Sequence, residues 1–174
     1  VLHINEWFSM INILTSKVNA KTLEQQMKNL FRIASSFRMY GGVPIPTGMS
    51  LSGTPLNESL IALHQILPKF KKENKLQKVQ CIVLSDGEGA TLKYHKEVQR
   101  RWENEPFLGT RAIGMHCILR NRKTGHTYKI QPDWFAFTDI LLNDLKETFK
   151  DINFIGIRVL EPRDAKSFIR RYTG

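Results

Sequence analysis

The sequence is poor in cysteine and has no long apolar segment. Its 174 residues include two cysteines, Cys81 and Cys117, and no run of about 18 or more uncharged apolar residues that could span a membrane. Both cysteines lie in apolar, strand-like stretches without a CxxC or Cys/His spacing. We therefore expect two core thiols in a reducing compartment, with a disulfide or a metal pair as the alternative. These absences predict a cytoplasmic protein, in a bacterial or a host cell, that does not enter a membrane.

The common catalytic motifs are also missing. The sequence contains no HExxH zinc motif, no GxSxG nucleophile elbow and no P-loop. Its five histidines are scattered, and we interpret His64 as a surface or boundary residue and His116 as a structural residue. We assign no catalytic residue, and a binding protein is favoured over an enzyme. A hydrolase would need a perturbed catalytic group that no motif reveals.

Acidic residues are few compared with basic ones. Lysine and arginine number 26 against 16 aspartates and glutamates, which gives a formal net charge of +10. A charge of this sign attracts polyanions or an acidic protein partner. The basic residues are spread along the chain without a nucleic-acid motif, so a solvated basic surface and a nucleic-acid-associated protein both stay open. Trp102 and Trp134 could be binding aromatics, but we expect them to pack in the core.

What the sequence does contain is typical of one soluble domain over residues 1–174, with 41% hydrophobic and 24% charged residues. Apolar spacing predicts a helix over 21–39, ended by Gly41 and Gly42, and a second helix that begins with Thr54 as N-cap and Pro55 as first residue. A nearly unbroken apolar run predicts a buried strand at Val79–Ser85. The remaining predictions are partial helix at 95–102, a hairpin of 115–119 with 127–130, helices at 136–149 and 163–172, and a strand at 154–160.

This alternation predicts an α/β fold with a mostly parallel sheet flanked by helices, and a hairpin insert. Ligands of such sheets bind at the carboxyl ends of the strands. Thr54 and Asp86 lie in loops that we expect at that edge, and a hydroxyl with a carboxylate suits a divalent cation such as Mg²⁺. The spacing alone also allows Thr54 to be only a helix cap, and Asp86-Gly87 to be only a turn.

Two segments resemble a known family. Gly53–Leu60 (GTPLNESL) and Ile82–Glu88 (IVLSDGE) look like the second and third motifs of the von Willebrand factor A family. The resemblance is closest to the A-type domains of tailed bacteriophages, which are often labelled as similar to the T-type subunit of cobaltochelatase or as peptidases. It covers most of the chain, and it implies a Rossmann-like α/β fold.

The family's metal-ion-dependent adhesion site takes ligands from three loops, and a partner's carboxylate typically completes the coordination. The resemblance implies that Thr54 and Asp86 are metal ligands for Mg²⁺ or Mn²⁺. It also implies a protein-interaction module, with a AAA+ ATPase as partner by analogy with chelatase subunits. The loop residues expected to meet the partner are Ser52, Gly53, Gly87 and Glu88.

The sequence departs from the family in its first motif. No Asp-x-Ser-x-Ser occurs, and the nearest stretch, residues 3–9 (HINEWFS), is not a match. We therefore expect that the chain starts inside the domain, and that metal binding is weak or absent. Because the family's first strand is central, we further expect an open edge on strand 79–84. Either a homodimer forms there, or Val1–Ile4 fills the gap as a substitute strand.

Overall fold

A computed structural model describes residues 1–37, 49, 53–102, 104–132 and 136–173, with side chains through residue 170. Helices and strands alternate along this described part of the chain. The helices are α1 (Ala20–Ser36), α2 (Leu56–Asn74), α3 (Ala136–Thr148) and α4 (Pro162–Thr173). The strands are β1 (Leu2–His3), β2 (Val79–Ser85), β3 (Lys93–Val98), β4 (Phe107–Ala112), β5 (Ile118–Arg120), β6 (Thr127–Lys129) and β7 (Ile152–Arg158). The predicted α/β class is confirmed at this level.

The strands form three small sheets rather than one. Strands β2 and β7 pair in parallel, from Val79 opposite Ile152 to Ser85 opposite Arg158. The other pairings in the described residues, β1–β3, β3–β4 and β5–β6, are antiparallel. The prediction of a mostly parallel sheet is therefore wrong for the described strands. Short connections between sequence neighbours favour antiparallel pairs, whereas a parallel pair needs a long crossover.

The segment between β2 and α3 corrects two further predictions. Residues 95–102 were expected to be partly helical, but β3 pairs with β4 from Lys93 opposite Ala112 to Val98 opposite Phe107. The amino-terminal segment does not fill a gap beside β2, because Leu2 pairs with Tyr94 of β3. The predicted hairpin is confirmed as β5 and β6, with Leu119 opposite Tyr128.

Helices α2 and α3 pack together and cover one face of β2 and β7. The most enclosed apolar side chains are Leu60 (1% exposed), Phe137 and Leu145. Leu67, Val79 and Ile152 form a smaller buried cluster at the amino ends of the two strands. These helices place the carboxyl end of β2 beside the start of α2, where the predicted site lies.

Helix α2 begins later than predicted. Its first residue is Leu56, its N-cap position is Pro55, and within the described residues it has no side-chain cap hydrogen bond. Thr54 is therefore not its cap. Pro68 lies inside the helix, which continues to Asn74 and ends at Lys75 in the left-handed region (φ 52°).

The described residues form two compact units. One comprises Val1–Glu6 and Thr54–Gly174, and the other comprises Trp7–Gly53. The second unit contains α1, where Asn19 accepts a hydrogen bond from the Thr22 amide (2.9 Å) and none of the helix residues is buried. The predicted helix at 21–39 is confirmed as α1, and its expected stop at Gly41 and Gly42 lies outside the described residues. The single domain over 1–174 stays a prediction.

No helix in the described ranges combines the length and the apolarity that a membrane span requires.

Candidate functional site

The candidate site begins where β2 ends, at the carboxyl end of the parallel pair. Ser85 is the last residue of the strand, and its hydroxyl fixes the turn that follows. Ser85 Oγ donates a hydrogen bond to the Gly87 carbonyl oxygen (2.7 Å) and accepts one from the Gly87 amide (3.2 Å). Asp86 lies between these two residues, so its backbone position is fixed by its neighbours.

Thr54 lies against this turn. A Cβ atom added to Gly87 would overlap Thr54 Oγ1 and lie 2.9 Å from Thr54 Cβ. The Thr54 side chain therefore contacts the backbone of the residue next to Asp86. The loop before α2 and the loop after β2 adjoin at one rim of the parallel pair, and this approach requires a glycine at position 87.

The other residues predicted to meet a partner divide into three cases. Ser52 lies outside the described residues. Gly53 has a positive φ of 71°, and a Cβ added there would meet no atom of the described residues within 4 Å. Glu88 lines an open groove with Asp86, between the end of β7 and the start of α4.

That groove is acidic although the chain as a whole is basic. Its charged residues are one arginine and four carboxylates, namely Arg158, Asp86, Glu88, Glu161 and Asp164. Such a surface favours cations over phosphates, because like charges repel at close range.

Sequence reasoning missed the residue that ties the rim together. Asn57, in the first turn of α2, has 0% of its surface exposed. Its Nδ2 donates to the Ala90 carbonyl (2.7 Å), and its Oδ1 accepts from the Thr138 hydroxyl (2.8 Å). Asn57 thus joins α2 to the loop after β2 and to α3. Gly89 packs on its amide, since an added Cβ would lie 2.9 Å from three of the Asn57 side-chain atoms.

A small apolar pocket opens beside the acidic groove. It lies between α2, α3, α4 and the ends of β2 and β7, and its apolar walls include Leu56, Leu60, Val83, Leu142 and Phe168. Arg158, Glu88 and Asp139 supply charged groups at the same pocket. Burial raises the pKa of Asp139, against the smaller lowering effect of Lys146.

The described residues offer few side-chain ligands for a metal ion. Within the described parts of the chain, no group of three or more His, Cys, Asp or Glu side chains is arranged to hold a metal ion. Thr54 and Asp86 provide two oxygen ligands of the type that Mg²⁺ prefers, which leaves the other coordination positions to water or to a partner.

No family model, curated protein or solved structure matches this chain.

The family resemblance therefore depends on the two motif segments, and it stays a prediction.

A second polar cluster lies between the middle of α2, the end of α3 and the hairpin. Asp144 is 7% exposed and accepts hydrogen bonds from Asn121 Nδ2 (2.9 Å to each carboxylate oxygen) and from the Tyr128 hydroxyl (3.1 Å). His64 Nε2 lies 3.2 Å from Asp144 Oδ2. The single hydroxyl hydrogen of Tyr128 is shared between Asp144 and Glu147, and Glu147 Oε2 is the closer acceptor (2.7 Å). The polar groups satisfy one another, so the cluster fixes the hairpin to the helices.

The environment shifts two pKa values in this cluster. Burial lowers the pKa of His64 by more than the nearby Asp144 raises it, and Lys123 lowers it further. Burial also raises the pKa of Tyr128, with contributions from Glu147 and Asp144. His64 therefore lies at a boundary, as predicted, and its neutral form is favoured.

Proposed function

We propose that the chain is a protein-interaction module of the von Willebrand A type, and that it binds its partner at the rim around Thr54 and Asp86. The observation that carries this proposal is the packing of the Thr54 side chain on Gly87, next to Asp86. The loop of Thr54 and the loop of Asp86 thereby adjoin at the carboxyl end of a parallel strand pair, the usual ligand position in α/β proteins.

The chemistry of the two residues suits a hard divalent cation. The Thr54 hydroxyl and the Asp86 carboxylate would hold Mg²⁺ or Mn²⁺, which would supply the positive charge that attracts a partner's carboxylate. Two side-chain ligands are few, and affinity rises with the number and charge of the ligands. We therefore expect the chain alone to bind the cation weakly, with the partner's carboxylate strengthening the site.

The charge of the acidic groove helps to distinguish a protein partner from a nucleic acid. Asp86, Glu88, Glu161 and Asp164 all line it, and they outnumber Arg158 of the groove and Arg163, which pairs with Glu161 and Asp164. This balance disfavours the phosphates of a nucleic acid unless a cation lies between. The rim therefore supports a protein partner better than a nucleic acid. The AAA+ ATPase partner follows from the resemblance alone, and the alternatives of a nucleic-acid-associated protein and a hydrolase have no specific observation in their favour.

A calorimetric titration with Mn²⁺ and with Mg²⁺ tests the metal part of the proposal. We expect weak binding by the wild type, and its loss in Asp86→Ala and in Thr54→Val. The matched control is Asp164→Ala, which removes an exposed carboxylate from the same groove but none from the rim loops. Identical traces for wild type and Asp86→Ala would reject the site.

A peptide-display selection tests the partner part. Random peptides are selected on the immobilised chain with Mg²⁺ present, and bound peptides are eluted with EDTA. We expect the eluted peptides to be enriched in aspartate or glutamate, and the enrichment to disappear on Asp86→Ala. Enrichment that is the same with EDTA present throughout would contradict a metal-dependent interaction.

A further inference from the structure

The apolar pocket beside the acidic groove has a gap in its strand wall at a glycine. Gly156 lies in the middle of β7, opposite Val83 of β2. An added Cβ at Gly156 would meet no atom of the described part of the chain within 4 Å, although Gly156 lines the pocket. Glycine weakens a strand interior and often marks a place where a ligand approaches the backbone closely.

The size of the pocket limits what it can hold. Its volume is about 240 Å³, below the roughly 300–1,000 Å³ that is typical of pockets for drug-sized molecules. A space of this size suits one aliphatic side chain rather than a whole cofactor or nucleotide.

The polar groups of the pocket limit the ligand further. Arg158 Nε is a buried donor with no hydrogen-bond partner among the described residues, and the guanidinium lies 5.8 Å from the centre of the Phe168 ring. Asp139 supplies an acceptor at the same pocket. Because the pocket contains both an arginine and a carboxylate, an ion of either sign would be attracted by one of these groups and repelled by the other. A peptide group offers one acceptor and one donor without net charge, so it matches both.

We infer that this pocket binds one aliphatic side chain of an extended peptide segment in a partner protein, with a peptide carbonyl of that segment accepting a hydrogen bond from Arg158. The pocket and the acidic groove share Glu88, Arg158 and Phe168, so they adjoin. A partner segment with an aliphatic residue close to an acidic residue could therefore use the pocket and the rim together. The inference rests on the proposed function only in taking the ligand to be part of a protein.

Small probes test the ligand class directly. N-acetyl-leucine methylamide is titrated into the methyl-labelled chain with EDTA present, and the methyl signals of Leu60 and Leu142 are followed by NMR. The comparison probes are N-acetylglycine methylamide, isovalerate and isopentylamine, which lack the side chain, carry a negative charge and carry a positive charge, respectively. We expect saturable shifts in the millimolar range with the leucine probe only. No saturable shift with it, or tighter binding of either ion, would overturn the inference.

Filling the pocket tests its location. Gly156→Val places a β-branched side chain in open space within a strand, so we expect the melting temperature to be maintained or raised, and the affinity for the leucine probe to fall at least tenfold. The matched control is Asn153→Val, which makes a similar change at an exposed position of the same strand and should leave affinity unchanged. Val83→Ile is a second variant that enters the pocket from the facing strand, and it should weaken binding as well. Unchanged affinity in a folded Gly156→Val or Val83→Ile variant would refute the assignment.

The two proposals fail in different ways. Because the probe titration is run in EDTA, probe binding without any Mn²⁺ binding would sustain the pocket and reject the metal site. Binding of Mn²⁺ that depends on Asp86, without probe binding, would reject the pocket and sustain the rim.

Discussion

Replacing Asn57 with alanine should destabilise the fold more than any other single change at the rim. The side chain is fully buried and makes hydrogen bonds of 2.7 Å to Ala90 and 2.8 Å to Thr138. Losing both bonds costs about 2 kcal/mol, at roughly 1 kcal/mol each. The cavity left by the side chain adds roughly 1–2 kcal/mol. Together these effects should lower the free energy of unfolding by about 3–4 kcal/mol.

Urea unfolding followed by far-UV circular dichroism measures this change. Thr138→Val is the matched control, because it removes one of the two hydrogen bonds. It also leaves the buried Asn57 Oδ1 without this donor, so it should lower the free energy of unfolding by about 1–3 kcal/mol, less than Asn57→Ala. A loss below about 1 kcal/mol for Asn57→Ala would mean that water reaches the side chain or its partners. Asn57 would then not be the residue that holds α2, α3 and the loop after β2 together.

The close packing of Gly89 on Asn57 allows a second test of the same geometry. Gly89→Ala alone should destabilise, because the new Cβ would lie 2.9 Å from the Asn57 amide atoms. Combined with Asn57→Ala, the steric conflict disappears, so the double variant should be more stable than the sum of the single effects by about 1 kcal/mol or more. Additive effects would show that the two residues do not touch.

Three further predictions concern the rest of the described structure. Asp144→Ala should lower the free energy of unfolding by about 1–3 kcal/mol, since it leaves the Asn121 amide without its carboxylate acceptor, whereas Tyr128 keeps Glu147; a loss below about 1 kcal/mol would contradict a buried network. Because burial depresses the folded-state pKa of His64, the unfolded chain binds more protons than the folded chain as the pH falls below the ordinary histidine pKa of about 6.5. Wild-type stability should therefore fall more steeply than that of His64→Gln as the pH drops below that value, and equal pH profiles would contradict the depressed pKa. In the described residues β2 pairs with β7 alone, and Ile82 (58%) and Leu84 (66%) are exposed. Sedimentation velocity should accordingly detect a dimer that Ile82→Lys dissociates, and a wild-type monomer at all concentrations would refute edge pairing.

The elements that sequence reasoning predicted well are those with strong local patterns. The apolar run at Val79–Ser85 is β2 with the same bounds, and the helical spacing over 136–149 corresponds to α3, one residue shorter. The hairpin was marked by apolar runs on either side of Lys123-Thr124-Gly125, and Gly125 has the positive φ (80°) that such a turn requires.

The wrong prediction of a partly helical segment at 95–102 has a different physical origin. Strand β3 is mostly polar, and its extended form depends on pairing with β4 and with Leu2, which lies about ninety positions away in the chain. Non-local pairing of this kind overrides local preference and leaves little trace in a short window of sequence.

The sequence predicted that the loops of Thr54 and Asp86 lie at one edge of the sheet, but it did not predict the buried hydrogen bonds beside them. The sequence left two roles for Thr54, the N-cap of α2 or a metal ligand. Because α2 begins at Leu56, Thr54 is not its N-cap. Asn57 and Asp144 each lie one helical turn from apolar positions of their own helices, Leu60 and Leu141. A polar residue within an apolar stripe is the signal that could have marked both as buried hydrogen-bonding residues.

The most direct test of the central claim is paramagnetic broadening by Mn²⁺ in amide NMR spectra. If the Thr54 hydroxyl and the Asp86 carboxylate share one cation, the amide signals of Thr54, Asp86 and Gly87 should broaden first as Mn²⁺ is added, and Asp86→Ala should abolish this selectivity. Broadening that begins elsewhere, for example at His3 and His95, whose ring nitrogens lie 3.2 Å apart, or that is unaffected by Asp86→Ala, would contradict the claim.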